Sequence, residues 1–429
     1  MNLVNIKGLE MNFSELKDKI LKKKLFVSVI GLGYVGLAIT KLLLDEGFKV
    51  IGYDVLIEKI NSLKNGKSYI VDIDDSDIER YINKQFFPTN SVKDLINSDI
   101  YVVSVPTPLN EAEKPELKYV LKAVRDIRKS LNRDGKLIIF ESTLPPGTTQ
   151  DILFPKFKKS GKKFYLCFSP ERINPKGGYP INNIPKIISG IDEDSLALGI
   201  FFYSKIFEKL IPVSSPKVAE YIKLLENSYR FINISFINEF AKLTSLDNVD
   251  IFEVIEGAKT KPYGFNPFYP NWGVGGDCIP TVPMFLVERG KKFGYKMSSI
   301  EYSNLINKSM PHYWFNKIKK YIKKNVYILG ITYKKDVNDL RNSQPLKFIE
   351  LLIDKGIYVH YYDPFIERIK IKDKELKSLK PTKTNLKKFD VIIIGTDHSE
   401  IPYHYLINLK KYILDPFGKL PKSKYIISF

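Results

Sequence analysis

The feature that most constrains the fold is a set of three glycines directly behind a short apolar segment. Residues 25–30 read Leu-Phe-Val-Ser-Val-Ile, a pattern typical of a buried parallel strand. Gly31, Gly33 and Gly36 follow with the spacing GxGxxG, and an apolar helix is predicted over 37–46. A strand, a glycine-rich turn and a helix in this order predict the start of a doubly wound α/β sheet.

The same segment predicts a dinucleotide site. In such a turn the first glycine permits the bend, the second lets the main chain approach a pyrophosphate, and the third lets helix and strand pack. A second strand is predicted over 48–53, and Asp54 after it can accept hydrogen bonds from ribose hydroxyls while repelling a 2′-phosphate. We therefore expect NAD rather than NADP, with a purely structural glycine turn as the alternative. The expected contacts are Gly31, Gly33, Tyr34, Val35, Gly36, Asp54 and Lys59.

Strand–helix alternation fills the first 200 residues and restarts in the last hundred. Between these parts, apolar residues at helical spacing predict one long helix from Ala219 to Leu246. The expected class is α/β, with two Rossmann-like doubly wound domains joined by a central helical domain that carries this spine helix. The expected divisions are an N-terminal helical extension over 1–23, a nucleotide-binding domain over 24–210, a central and dimerisation domain over 211–310 and a second, degenerate nucleotide-binding-like domain over 311–429.

The net charge of +19 favours an anionic partner or reflects a generally lysine-rich composition. The lysines are spread along the chain, and there is no zinc-finger spacing, basic helix or aromatic RNA-binding signature. We therefore expect no nucleic-acid partner and consider phosphate-bearing small molecules the better candidates.

Cysteine use and hydropathy bear on location. The chain has two cysteines, which excludes a disulfide framework and suggests a reducing compartment. No run of 18 apolar residues exists, and residues 1–24 lack the apolar core of a signal peptide. We expect a cytoplasmic protein without a membrane span.

One cysteine, Cys278, follows three glycines in the segment Gly273-Val-Gly-Gly-Asp-Cys-Ile-Pro. Glycines let a ligand approach the main chain, and a thiol held in such a loop is a candidate covalent catalyst. The alternative is a small hydrophobic residue that caps a tight turn.

Five further segments are informative when they are considered together with the cysteine loop. In this order and spacing the chain resembles, from about residue 24 to 416, the UDP-glucose/GDP-mannose dehydrogenase family. The segments are Val105-Pro-Thr-Pro, Glu141-Ser-Thr-Leu-Pro-Pro-Gly-Thr-Thr, Ser169-Pro-Glu-Arg-Ile-Asn-Pro, Ala219-Glu-Tyr-Ile-Lys-Leu-Leu-Glu-Asn and Tyr333-Lys-Lys-Asp-Val-Asn-Asp-Leu-Arg-Asn-Ser.

The resemblance implies oxidation of the C6 alcohol of a nucleotide sugar to a carboxylate, with two NAD+ and one water consumed. It implies Cys278 as the nucleophile that forms a thiohemiacetal and then a thioester, and Lys223 as the cation that stabilises the oxyanion. Asn227 would bind water or the oxyanion, Glu171 would be the acid/base for thioester hydrolysis, and Thr143 would orient water or substrate near the nicotinamide.

The resemblance also implies ligand contacts in both halves. Thr107, Thr143 and Arg341 would contact the cofactor, and Lys334 the substrate diphosphate. Lys261 would serve the phosphate of a neighbouring subunit. The full set implied to bind substrate is Glu171, Arg172, Lys223, Asn227, Lys261, Phe265, Phe268, Gly273 and Lys334.

Three segments resemble the branch of the family that acts on UDP-N-acetylhexosamines: Ser169-Pro-Glu-Arg-Ile-Asn-Pro, Thr260-Lys-Pro-Tyr-Gly-Phe and Cys278-Ile-Pro. This implies UDP-N-acetylglucosamine as the first choice of substrate and UDP-N-acetylmannosamine as the second, in polysaccharide or glycan precursor synthesis. The resemblance further implies a homodimer or higher homo-oligomer built on the long helix.

The cysteine loop departs from the family pattern at two positions. Relatives place an aspartate four residues after the cysteine, where this chain has Val282, and commonly a histidine before it, where this chain has Asp277. We hypothesise that Asp277 partly compensates for the missing carboxylate.

Two alternative functions remain open at this point. One is a two-electron dehydrogenase of the related hydroxyacid type, which would not need Cys278. The other is a sugar-nucleotide-binding protein with impaired catalysis, which Val282 makes conceivable.

Overall fold

The structure is a computed structural model that describes residues 4–70, 72–173 and 179–429. It forms two compact units, one ending at Leu225 and the other running from Glu226 to Phe429. The α/β class expected from the sequence is confirmed, whereas the proposed domain boundaries stay a prediction. Residues 1–3 of the predicted extension lie outside the described residues.

The first unit contains an eight-stranded sheet. Its strands are β1 (Phe26–Ile30), β2 (Lys49–Tyr53), β3 (Phe86–Thr89), β4 (Ile100–Val103), β5 (Lys136–Phe140), β6 (Phe164–Phe168), β7 (Lys186–Gly190) and β8 (Leu210–Pro212). They lie in the order β3-β2-β1-β4-β5-β6-β7-β8, and only β6 and β7 pair antiparallel. The order reverses between β1 and β4, which is where open α/β sheets bind ligands.

Helices connect these strands and cover the sheet. They are α1 (Val4–Leu21), α2 (Tyr34–Asp45), α3 (Ile57–Lys64), α4 (Asp75–Glu79), α5 (Lys118–Ser130), α6 (Phe154–Lys158), α7 (Glu193–Tyr203) and the long α8 (Pro216–Leu246), in which the division between the units falls. Short 3-10 turns occupy Val92–Asn97 and Ile181–Asn183, and a π-helical turn occupies Thr148–Leu153.

Alternate residues of the strands belong to two separate cores. Val27 and Val102 pack in one buried cluster, whereas Tyr101 and Val103 pack in another. Successive side chains of a strand point to opposite faces, so both faces of the sheet are covered. This is the doubly wound arrangement that the apolar runs predicted.

The second unit contains a smaller parallel sheet and a separate hairpin. Its strands are β9 (Asn325–Leu329), β10 (Tyr358–Tyr362), β11 (Arg368–Ile371), β12 (Lys374–Lys377), β13 (Val391–Ile394), β14 (Tyr412–Leu414) and β15 (Ile426–Ile427). The sheet order is β10-β9-β13-β14-β15, all parallel, while β11 and β12 form an antiparallel pair.

The helices of this unit precede the sheet and cross between its strands. They are α9 (Ile251–Lys259), α10 (Cys278–Thr281), α11 (Pro283–Lys291), α12 (Ser298–Ile318), α13 (Gln344–Asp354) and α14 (Lys383–Leu386), with 3-10 turns at Lys319–Tyr321 and Tyr403–Leu409. Trp272, just before the cysteine loop, is buried and donates its indole N–H to the carbonyl of Ile394 at 2.9 Å. This bond anchors the start of the loop at the end of β13.

Candidate active site

The glycine turn of the first unit has the geometry of a phosphate cradle. Gly31 has φ of +91°, and a Cβ on it would lie 2.7 Å from the carbonyl oxygen of Ser104. A Cβ on Gly36 would lie only 1.8 Å from the carbonyl oxygen of Gly31, whereas one on Gly33 would meet nothing within 4 Å. Gly33 therefore faces open space at the start of α2, and the turn fits the pyrophosphate of NAD.

Asp54 is fixed at the end of β2 by three donors. Its carboxylate accepts the amides of Leu32, at 2.9 Å, and Leu56, at 3.0 Å, and the Lys59 ammonium at 3.1 Å. The side chain is buried, so its charge is held beside the turn. Tyr69, which the sequence did not single out, donates its hydroxyl to the carbonyl of Leu32 at 2.7 Å.

The other predicted cofactor contacts of this unit lie beside the same turn and on the next two strand ends. Tyr34 donates its hydroxyl to Asp72, and Val35 packs half-buried against the core. Thr107 donates its hydroxyl to the carbonyl of Thr143 at 2.7 Å. This bond ties the segment after β4 to the segment after β5, which the chain order alone does not reveal.

Glu171 and Lys223 are brought together after β6. The Lys223 ammonium donates to the main-chain carbonyl of Glu171, and the Glu171 carboxylate accepts the amide of Arg172 at 2.6 Å. The Arg172 guanidinium donates to the carbonyl of Pro185 at 2.8 Å. Glu171 is buried, which rules out a purely surface ion pair with Arg172.

A buried lysine that sequence reasoning missed lies against Glu171. The Lys186 ammonium is 2.5 Å from the carboxylate of Glu171 and 2.9 Å from that of Glu141, which also accepts the hydroxyl of Tyr203. Burial raises the pKa of Glu141 and, with the nearby carboxylate, that of Tyr203. Burial opposes the charge of Lys186, but attraction to Glu141 and Glu171 outweighs it and raises the pKa of Lys186. The available signal was a lysine at the head of the apolar run Lys-Ile-Ile-Ser-Gly.

In the second unit the cysteine loop is docked on the segment that precedes α13. The amide of Gly276 donates to the carbonyl of Arg341 at 2.8 Å, and the Asn342 side chain donates to the carbonyl of Gly276 at 2.9 Å. Gln344 donates its side-chain amide to the carbonyl of Val274 at 2.9 Å. These bonds hold the loop by its main chain, and Cys278 at its end is exposed.

The loop glycines permit close approach. A Cβ on Gly276 would lie 2.7 Å from Cε2 of Tyr333, and one on Gly273 would lie 2.4 Å from the side-chain oxygen of Asn307. Both glycines have positive φ, +79° and +105°, which L side chains rarely adopt. The glycines of this loop therefore allow neighbouring side chains to pack closely against its main chain, in addition to any approach by a ligand.

Asp277 and Val282, the two positions at which the loop departs from the family pattern, both make contacts within this unit. Asp277 pairs with Arg341, which also pairs with Asp339 at 2.7 Å. Hydrogen bonding to Asp339 is the main cause that raises the pKa of Arg341. Val282 is buried and donates its amide to the carbonyl of Cys278 at 2.9 Å.

The remaining predicted residues of this unit differ in environment. Asn227 is buried on α8, and within the part of the chain that is described its Nδ2 has no hydrogen-bond partner. Lys334 is half-buried, and its carbonyl accepts the hydroxyl of Thr332 at 2.9 Å. An orphaned donor on Asn227 is chemically suited to water or an oxyanion.

The predicted substrate segment after α9 is largely exposed. The Lys261 ammonium lies 5.0 Å from the ring centroid of Tyr263, and Phe265 is exposed. Phe268 is half-buried and packs edge-on against Tyr229, with 5.8 Å between ring centroids.

The other cysteine, Cys167, is buried with its Sγ 2.9 Å from the carbonyl of Ser195, and is therefore a packing residue.

Models of three successive family domains match the chain. The UDP-glucose/GDP-mannose dehydrogenase NAD-binding domain matches residues 25–210, the central domain 217–309 and the UDP-binding domain 327–418. The chain belongs to the UDP-glucose/GDP-mannose dehydrogenase family. It is an NAD-dependent nucleotide-sugar dehydrogenase of this family, and the predicted cofactor is confirmed.

Relatives span nearly the whole chain. It is 35% identical over 384 residues to the UDP-N-acetyl-D-mannosamine dehydrogenase of Methanocaldococcus jannaschii, with 87% of this chain and 86% of that protein covered. It is 32% identical over 361 residues to the UDP-N-acetyl-D-glucosamine 6-dehydrogenase of Pseudomonas aeruginosa, covering 80% and 84%. The solved UDP-D-ManNAc dehydrogenase from Pyrococcus horikoshii superposes with a TM-score of 0.84 at 28% identity, covering 94% and 98%.

The described helices include none that is both long and apolar enough to cross a membrane.

Proposed function

We propose that this dehydrogenase oxidises the C6 hydroxyl of a UDP-N-acetylhexosamine to a carboxylate in two successive oxidations. The observation that carries the proposal is the exposed thiol of Cys278, held in a glycine loop docked on the segment that contains Lys334 and Arg341. An exposed thiol is available to a substrate carbon, in contrast to that of Cys167, whose pKa burial raises.

When bound, NAD+ accepts the hydride of each oxidation. In the first, the C6 hydroxyl releases its proton to solvent water, and the Lys223 ammonium stabilises the alkoxide as C6 gives up its hydride and becomes an aldehyde. The bond from Lys223 to the Glu171 carbonyl holds the ammonium in place. The Cys278 thiolate then adds to the aldehyde carbon and forms a thiohemiacetal. The Asn227 amide, whose Nδ2 has no partner among the described residues, is suited to the oxygen that becomes negative in this step.

The second oxidation converts the thiohemiacetal into a thioester, which one water cleaves into the uronate and the free thiol. We assign Glu171 as the base that removes a proton from this water, and Thr143 as the group that orients it. Support for Glu171 comes from its burial beside a lysine, because the contact with the ammonium fixes the orientation of the carboxyl group.

The names of relatives bear on the substrate. The curated relatives include several UDP-N-acetyl-D-mannosamine dehydrogenases, at up to 35% identity, and a UDP-N-acetyl-D-glucosamine 6-dehydrogenase at 32%. We therefore place UDP-N-acetyl-D-mannosamine first and UDP-N-acetyl-D-glucosamine second, the reverse of the order suggested by the sequence. Within this proposal Lys334 contacts the diphosphate, and Arg172, Lys261, Phe265, Phe268 and Gly273 retain their predicted substrate roles.

We also propose a homodimer formed along α8. Leu225, Phe236 and Leu243 are 68%, 58% and 56% exposed. At about 100° per residue, these positions fall within about 20° of one another on the helix face. A continuous stripe of large exposed apolar side chains is unusual on a monomer, and a second copy of the helix would cover it. Light scattering of the wild type and of Leu243→Glu tests this proposal, which requires a dimer and a monomer respectively.

The proposal includes a cytoplasmic location, which the exposed thiol of Cys278 supports because exposed thiols persist in reducing compartments.

Intact-mass analysis tests the chemistry. The enzyme is mixed with NAD+ and each of a panel of UDP-sugars, then quenched in acid. We expect a covalent sugar-nucleotide adduct with UDP-N-acetylmannosamine that is absent in Cys278→Ala and retained in Cys167→Ala. An adduct that persists in Cys278→Ala, or none with any UDP-sugar that yields NADH, would contradict the proposal.

A further inference from the structure

The strongest unexplained feature is a lysine enclosed by two carboxyl groups in the first unit. Lys186, Glu141 and Glu171 have side chains that are 2%, 0% and 8% exposed, and the ammonium contacts both carboxyl groups. The residues come from the start of β7, the end of β5 and the segment after β6. One cation faces two acids in a region from which water is excluded.

Two carboxyl groups that share one buried ammonium favour a proton on one of them. Two ionised carboxylates around one ammonium would leave a net buried negative charge, which is strongly unfavourable in a low-dielectric interior. Like charges that share a site push one proton onto the pair, as in paired catalytic carboxylates. The cluster is therefore neutral when it keeps one proton in addition to those of the ammonium.

The contacts favour Glu141 as the protonated member. Its Oε2 is fully buried and, within the described part of the chain, has no hydrogen-bond partner, while Oε1 accepts the Tyr203 hydroxyl and faces the Lys186 ammonium at 2.9 Å. In contrast, Glu171 accepts a main-chain amide with one oxygen and faces the ammonium with the other. Both oxygens of Glu171 are thus engaged by donors, whereas Glu141 has an oxygen that no donor in the described residues reaches.

We propose that Lys186 is a positioning residue that keeps the Glu171 carboxylate ionised and aimed for thioester hydrolysis, with Glu141 as the neutral, proton-holding partner. This inference rests on the proposed role of Glu171 as the base. Lys186 contacts no reacting atom in this account and acts through Glu171 alone.

Other charged and titratable groups around Glu171 come from each neighbouring element. The Arg172 guanidinium donates to the Pro185 carbonyl, and the Lys223 ammonium on α8 donates to the Glu171 carbonyl, so both add positive potential. Tyr203 on α7 and Cys167 on β6 stay neutral because burial raises the pKa of each side chain. Lys186 is the cation whose ammonium lies between the two acids.

The test is the pH profile of kcat with saturating substrate and NAD+. In Lys186→Met, Glu171 loses its cation, and we expect the acid limb to move to higher pH by about 1–3 units. The burst of the first NADH should keep its wild-type rate while the Cys278 thioester accumulates. Lys186→Arg should restore the wild-type profile, because it returns the charge to the same position.

Glu141→Gln separates this account from a structural role for the cluster. Because Glu141 is already neutral, its amide counterpart should leave the acid limb within about half a unit of wild type. Lys136→Met is the matched control, since Lys136 is also buried, at the opposite end of β5, and bonds to the carbonyls of Ile96 and Ser130. It should reduce stability without moving the acid limb.

An unmoved acid limb in Lys186→Met, or a limb raised by Glu141→Gln as far as by Lys186→Met, would overturn the inference. If Lys186→Met does not fold, Lys186→Gln, which keeps an amide donor at this position but carries no charge, should still show the raised limb. Glu171→Gln separates the two proposals. Unchanged thioester hydrolysis in this variant would refute the role of Glu171 as the base. Slowed hydrolysis in Glu171→Gln, together with an unmoved acid limb in Lys186→Met, would refute only the role of Lys186.

Discussion

The Asp277 carboxylate and the Arg341 guanidinium form an ion pair, with 2.8 Å between Oδ2 of Asp277 and Nη1 of Arg341. Asp277 directly precedes Cys278, so the pair ties the cysteine loop to the segment before α13. A carboxylate engaged in this way is poorly suited to managing a catalytic water. We therefore favour an anchoring role for Asp277 over compensation for the carboxylate that Val282 replaces.

Asp277→Asn tests this reassignment. Because both side chains are largely exposed, we expect the unfolding free energy to fall by less than about 1 kcal/mol. We expect kcat to change by less than about threefold, since an anchored loop retains its main-chain bonds. Steady-state kinetics and chemical denaturation provide the two values. A loss of kcat beyond about tenfold at unchanged stability would instead support compensation by Asp277.

Val282→Asp asks whether the carboxylate of the relatives can be restored. Val282 is only 3% exposed, so an ionised aspartate there is expected to cost about 3 kcal/mol of stability or more. Burial raises the pKa of such a carboxyl, and the penalty should therefore be larger at pH 8 than at pH 5. Val282→Asn is the neutral control and should show no such pH dependence. A fully stable Val282→Asp with faster thioester hydrolysis would show that the pocket accommodates the acid.

Gly276→Ala tests the fit of the cysteine loop. Its new Cβ would meet the Tyr333 ring at 2.7 Å and must also adopt a φ of +79°. Gly294→Ala is the matched control, since it has a similar φ of +68° but no heavy atom within 4 Å of the Cβ. We expect both to lose about 1–2 kcal/mol of stability and only Gly276→Ala to lose about tenfold or more in kcat. Equal kcat values for the two variants would contradict this view of the loop.

Asp54→Asn tests the choice of cofactor. The substitution removes the charge at the end of β2, where we propose that the ribose binds, while it keeps an acceptor for the amide of Leu32. We expect the KM for NAD+ to rise and the preference for NAD+ over NADP+ to fall by about tenfold or more, because repulsion of a 2′-phosphate is lost. The ratio of kcat/KM for the two cofactors measures this preference. An unchanged ratio would mean that another group sets the selectivity.

The first two strands were predictable because they are short apolar runs on either side of the glycine turn and its helix: the strands predicted over 25–30 and 48–53 are β1 and β2. The glycine turn and the long helix carry equally local signals, and predicted and observed bounds differ by no more than three residues at either end. For example, the helix predicted over 37–46 spans Tyr34–Asp45, because it already begins within the glycine turn.

The Lys186 cluster was not predictable in the same way. It depends on the antiparallel pairing of β6 with β7, which brings residues 171 and 186 together, and on the parallel register of β5 with β6. Both are long-range pairings that no local pattern encodes. The Asp277–Arg341 pair, separated by 64 residues in sequence, was missed for the same reason.

The yield of NADH per molecule of sugar tests the central claim most directly. Limiting UDP-N-acetyl-D-mannosamine is consumed completely with excess NAD+, and the NADH formed is measured by absorbance. The account predicts two NADH for each sugar and a uronate product. One NADH for each sugar would identify a two-electron dehydrogenase, and no NADH with any UDP-sugar would identify a binding protein; either result would contradict the four-electron oxidation through Cys278.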